Sequence, residues 1–171
     1  MKHFVQEHVT EGGYSSASEY MRELIRAEQK RKVEERIDIL LLEGLDSGQP
    51  IPVPPEFWEE KKVSTDRAAK QSHSAAMTRL YHILPVADRD LDDQAAFLAA
   101  EASLETALRF YDAASSTFGK IASMPSIGEQ WLSTNPRLTG LRVWRIEGFP
   151  NHLIFYRAID GSRTSRQWMP R

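Results

Sequence analysis

The spacing of apolar positions along the chain changes from a helical period to a strand period, with a proline-rich stretch between. Phe4, Val5, His8 and Val9 fall at helical spacing within Lys2–Glu11. Gly12-Gly13 then ends that short helix, since glycine takes the left-handed backbone of a helix terminus without a Cβ clash. Ser16 and Glu19 have the spacing of a capping box, in which each side chain satisfies the other's free backbone donor. Ala17, Tyr20, Met21, Leu24, Ile25 and Glu28 continue as one stripe, so the junction predicts a helix–turn–helix connection. Val33, Ile37, Leu40, Leu41 and Leu45 predict a further amphipathic helix, ended by Gly44 and Gly48.

"QPIPVPPEFWEEKKV", from Gln49 to Val63, breaks this pattern, because its four prolines fit neither a helix interior nor a central strand. It predicts an extended arm to Pro54, then a short helix with Pro55 in its first turn and Phe57 and Trp58 on it. The arm is too short for a core of its own. Ile51, Val53, Phe57 and Trp58 therefore need an apolar surface elsewhere, either downstream or on the preceding helices. "STDRAAKQSHSAA", from Ser64 to Ala76, has no periodicity and reads as a linker.

Beyond Met77 the pattern is that of a second domain. "MTRLYHILPV" alternates as a strand does. Leu91, Ala95, Leu98 and Ala102 form one helical stripe; Leu104, Leu108, Tyr111, Ala114, Phe118 and Ile121 form another, closing near Met124-Pro125. "LTGLRVWRIEGFPNHLIFYRAIDG" supplies two strands, Leu141–Ile146 and Leu153–Tyr156, joined by a loop over residues 147–151. The order is β-α-α-β-β, a small α+β domain. After Asp160-Gly161, "SRTSRQWMPR" lacks a branched apolar run, so no further strand is expected and one sheet edge should stay open.

Charge adds an asymmetry. The chain has a net charge of −2, but residues 1–76 hold 11 basic against 14 acidic side chains. From Ala113 onward there are 8 basic residues, 7 of them arginine, against 3 acidic ones. An acidic segment made to cover a basic face would be steered by those potentials. Arg137, Arg142, Arg145 and Arg157 are the candidate basic face, with Arg142 and Arg145 on opposite sides of their strand by parity. Asp88, Asp90, Asp92 and Asp93 lie where a helix starts, and the helix dipole explains them better than paired catalytic acids do.

The absence of cysteine excludes disulfides, thiolate zinc sites and cysteine nucleophiles. No apolar run is long enough to span a bilayer, which leads to an expectation of a cytoplasmic protein without membrane partners. His3, His8, His73, His82 and His152 lack metal-ligand spacing, and no phosphate-binding glycine loop or nucleophile elbow is present. No cofactor or metal is expected.

Two resemblances rest on these residues. "GGYSSASEYMRELIRAEQKRK", with "EERIDILLLEGLDSG" and the "PEFW" tail, resembles a ParD-type antitoxin of the ribbon-helix-helix class. "FGKIASMPSIGEQW" followed by "LTGLRVWRIEGFPNHLIFYRAIDG" resembles a ParE-type toxin of the RelE/ParE superfamily. The expected organisation is thus ribbon-helix-helix-like helices over 1–48, a toxin-binding arm over 49–63, a linker over 64–76 and a RelE/ParE-like domain over 77–171. The resemblance implies a type II toxin–antitoxin pair in one chain, in which Ile51, Val53, Phe57 and Trp58 cover the toxin half in cis or in a homo-oligomer. It implies DNA gyrase as the target and no bond-making chemistry, with a toxin weakened by its altered C-terminus.

The alternatives are a RelE-like ribosome-dependent mRNA endonuclease, with the four arginines stabilising phosphate charge, and a DNA-binding autorepressor. The strand that reads operator DNA in this class would precede Lys2, so operator binding is not expected.

Overall fold

The computed structural model describes residue 9 and residues 14–54, 56–65, 81–158 and 164–170, the last stretch as backbone. The fold is α+β, in two compact units, Met1–Leu40 and Leu41–Arg171.

The first unit is dominated by one helix. Helix α1, Ala17–Leu45, runs without a break where the pattern suggests two segments, and its last turn belongs to the second unit. Continuity follows from the residues between the stripes. Glu28, Arg31, Lys32 and Glu35 are good helix formers linked at i,i+3 and i,i+4 spacing, by Arg31–Glu28 at 2.7 Å, Lys32–Glu28 at 3.7 Å and an Arg31–Glu35 pair. Such pairs are weak singly, but here they follow one another across the junction of the two stripes. The helix ends one residue past Gly44, which is buried in its last turn, and Gly48 follows at φ 135°.

The N-terminal cap differs from the reciprocal box. Ser16 Oγ accepts from the Glu19 amide at 3.2 Å, but the Glu19 carboxylate turns to Ser15, accepting from its amide at 2.7 Å and its hydroxyl at 2.5 Å. These bonds hold the Glu19 carboxyl below its usual pKa. The short helix expected over Lys2–Glu11 lies outside the described residues except for Val9, whose carbonyl accepts from the Tyr14 amide at 3.1 Å. That i to i−5 bond is of the type that closes a helix C-terminus.

The second unit is built on a six-stranded sheet. Its strands are β1 (Ile51–Pro52), β2 (Tyr81–Ile83), β3 (Glu129–Gln130), β4 (Arg142–Ile146), β5 (Phe149–Tyr156) and β6 (Thr164–Pro170), in the order β1-β2-β6-β5-β4-β3. Only β2 and β6 run parallel; the other neighbours are antiparallel. Helices α2 (Phe57–Thr65), α3 (Pro85–Glu101) and α4 (Leu104–Ser123) complete the unit, with α3 over β6 and α4 over β4.

Three expectations are corrected here. Thr164–Pro170 is a strand, and it lies between β2 and β5. A strand paired on both sides satisfies its backbone donors and acceptors in two ladders, so a branched apolar run is not required. The β4–β5 loop is also shorter than residues 147–151. Ile146 pairs with Phe149, leaving Glu147-Gly148 as the turn, with Gly148 at φ 79°. Finally, the buried face of α4 begins later and is wider than the expected stripe: Tyr111, Ala114, Phe118 and Ile121 are buried as expected, Ala107 and Phe110 join them, and Leu104 is exposed.

The main core lies between the sheet and the helices. Leu91 and Ala95 of α3 meet Phe110, Tyr111, Ala114, Phe118 and Ile121 of α4, with Ile83, Ile146, Ile154 and Tyr156 from the strands. By strand parity Phe155 faces away from Ile154 and Tyr156, and it is buried outside that cluster, edge-on to Trp131 at 5.2 Å. Tyr156 also fixes the loop before β3: its hydroxyl accepts from the Gly128 amide at 2.8 Å. A Cβ at Gly128 would lie 2.7 Å from both that hydroxyl and the Val143 carbonyl, so only glycine fits.

Candidate functional site

The proline-punctuated arm passes over the edge of the sheet and the flank of the helical hairpin. Its entry is fixed by the end of α1. Asp46 receives a two-pronged contact from Arg137, Nη2 to Oδ1 at 2.5 Å and Nη1 to Oδ2 at 3.2 Å. This contact lowers the Asp46 pKa. Ser47 Oγ accepts from the Val86 amide at 3.3 Å, satisfying one of the free donors at the start of α3. Gly48, at φ 135°, turns the chain beside Pro85.

Ile51–Pro52 then pairs antiparallel with Ile83 and His82, and the Val53 amide donates to the Tyr81 carbonyl at 3.1 Å. The arm thus adds a strand to β2, whose other neighbour is β6. Proline is tolerated here because β1 is an edge strand. Without the arm, β2 would present open backbone groups to any passing chain.

The aromatic pair fills the groove beyond. Trp58 is buried against Phe118, ring centroids 5.5 Å apart, and its indole N–H donates to Tyr81 Oη at 2.8 Å. Tyr81 stacks on the same Phe118 at 5.6 Å, and Phe57 meets Trp58 edge-on at 5.2 Å. Val53 and Trp58 belong to the same apolar cluster as Leu91, Phe110 and Tyr156, while Phe57 packs half-buried against it and Ile51 is half-buried on β1. Burying side chains of this size is worth about 1.5–3 kcal/mol each relative to exposure.

Two lysines that carry no motif in the sequence close the contact. Lys61 is 8 % exposed. Its ammonium lies 2.7 Å from both Asp88 Oδ1 and Asp92 Oδ1, 3.5 Å from the Asp88 carbonyl and 5.1 Å from the Phe57 ring centre. Asp92 Oδ1 also accepts from Tyr111 Oη at 2.9 Å. Lys62 reaches Asp112 at 2.6 Å and Glu59 at 3.1 Å. Its pKa is raised: burial pulls downward, and the Asp112 and Glu59 carboxylates together outweigh it. A weak signal for this is present in the composition, where the basic pair after "FWEE" complements the acidic run Asp88–Asp93 far along the chain.

The four arginines are engaged in different ways. Arg137 is bound to Asp46. Arg142 Nη1 donates to the Gly128 and Ser126 carbonyls at 2.6 and 3.2 Å, and Arg157 Nη2 donates to the Arg137 carbonyl at 2.5 Å. Arg145 is exposed and has no hydrogen bond or ion pair among the described residues. Three of the four therefore brace loops. His152 shares a contact with Gln94 Oε1 at 3.1 Å, and burial lowers its pKa. Among the described residues no three His, Cys, Asp or Glu side chains are grouped to hold a metal ion, and no helix is long and apolar enough to cross a membrane.

Comparison with known proteins bears on the sheet domain. Residues 81–165 match the family model for the ParE toxin of type II toxin-antitoxin system, parDE. A search of curated proteins gives no match.

Proposed function

We propose that the ParE toxin domain at residues 81–165 is kept silent within its own chain by the segment that precedes it, as a toxin–antitoxin pair in one polypeptide. In this reading residues 1–48 are the antitoxin helices, 49–63 the neutralising arm, 64–76 the linker and 77–171 the toxin. The observation that supports it most is the double attachment of the arm, as a strand on β2 and through Trp58 inside the sheet domain's own apolar cluster. A short tether holds such an arm at an effective concentration of order millimolar, so neutralisation does not depend on a second gene product.

The target is DNA gyrase, engaged by protein contact. Arg137, Arg142 and Arg157 are occupied by Asp46 and by backbone carbonyls. That favours a binding role over mRNA cleavage, for which several free cations around the scissile phosphate are needed.

Inducing the fragment Met77–Arg171 beside the intact chain tests the reading. The fragment is expected to arrest growth with DNA breaks, and the intact chain to leave growth unaffected. Arrest with cleaved ribosome-bound message would assign the RelE-type activity instead. A folded, abundant fragment that leaves growth unchanged would remove the toxin reading.

A further inference from the structure

We propose that Lys61 is the residue by which this toxin surface distinguishes its own arm from others; the proposal rests on the reading of residues 49–63 as a neutralising arm. Strand addition at β2 uses backbone bonds, which any extended segment supplies. The groove filled by Trp58 accepts an aromatic ring of suitable size and discriminates little beyond that. Charge is the remaining element, and its buried part is one side chain, Lys61. The Lys61 ammonium faces three oxygens of α3, Asp88 Oδ1, Asp92 Oδ1 and the Asp88 carbonyl, with Phe57 of the same arm beside the cation.

The toxin side is built to require that cation. Asp88 Oδ1 is buried, and the Lys61 ammonium 2.7 Å away is its compensating charge. Asp88 and Asp92 are one helical turn apart, and like charges at that spacing repel when nothing lies between them. An arm that covers Asp88 without a cation removes water and supplies nothing in return. That penalty rejects a foreign arm more effectively than an added attraction selects the correct one. Lys62 differs, since both of its partners, Asp112 and Glu59, are more than half exposed and water can replace it, whereas of the two partners of Lys61 only Asp92 is open to water and Asp88 is enclosed.

A charge exchange in the full chain tests this, read by amide hydrogen exchange over α2 and at Val53, with the β4–β5 ladder as the control for an intact fold. Lys61→Glu is expected to lower protection of α2 about ten-fold, and Asp92→Lys to lower it less. The double variant K61E/D92K is expected to regain part of the loss, because an ammonium at position 92 then faces the carboxylates at positions 61 and 88 in place of Lys61. Unchanged protection in K61E, or a double variant no better than the two losses combined, overturns the assignment. Trp58→Ala separates this from the parent reading. If W58A leaves α2 protected, the docked-arm account itself fails; if W58A releases α2 while K61E does not, only the role of Lys61 fails.

Discussion

The carboxylates of α3 look alike in sequence and differ in their surroundings. Asp88 and Asp92 meet Lys61, whereas Asp90 is half-buried and forms no ion pair among the described residues. Its pKa is pushed up to about 6, by burial first and by the Asp93 charge second, with Arg89 opposing. A folded-state pKa above the unfolded one means that the folded chain holds its proton longer. Its stabilising share is therefore complete below about pH 4, is lost as pH rises to about 6, and stays lost above that. Asp90→Asn is expected to remove this slope and to raise stability at neutral pH by about 1 kcal/mol, discounted for the group's partial exposure. Urea unfolding of both proteins between about pH 4 and pH 7 measures it. The run is legible as helix-start acid, but not as two separate environments, because the one at Asp88 and Asp92 depends on the Lys61 that α2 lays over it. Lys61 is 27 and 31 positions from its partners, a distance that no local pattern spans.

Among the elements, those set by local periodicity are readable from the sequence: the helical hairpin, the β4–β5 hairpin and the extended arm with its short helix. Those set by pairing are not. The strand Thr164–Pro170 has neighbours on both sides, and its place comes from the ladders it completes, not from its side-chain pattern. The buried stripe of α4 follows the periodicity from Tyr111 to Ile121 and departs from it only at the start of the helix, where Ala107 is buried and Leu104 is exposed. Two glycines separate local from tertiary demands. Gly119 lies inside α4 with nothing within 4 Å of where a Cβ would stand, so Gly119→Ala is expected to stabilise by about 0.5–1 kcal/mol. Gly48 turns the chain from α1 into β1 at φ 135°, with Pro85 Cγ at 3.3 Å from a Cβ there. Gly48→Ala is expected to destabilise by about 1–3 kcal/mol. Thermal unfolding of the two variants should shift in opposite directions.

At the scale of the whole molecule, the arm joins the core of the sheet domain and is not an appendage to it. Val53 and Trp58 are buried like the residues of α3 and α4 around them, and the arm supplies one of the sheet's two edge strands. The sequence shows that these side chains need an apolar surface, yet not which one, since burial is a property of the assembled fold. The account turns on this covered surface being the working surface of a toxin. The most direct test is growth after equal induction of the intact chain and its W58A/K61E variant, with the β4–β5 ladder checked for folding. Arrest by the variant and not by the intact chain is the predicted result. Equal growth of both, with the variant folded and its arm released, would contradict it.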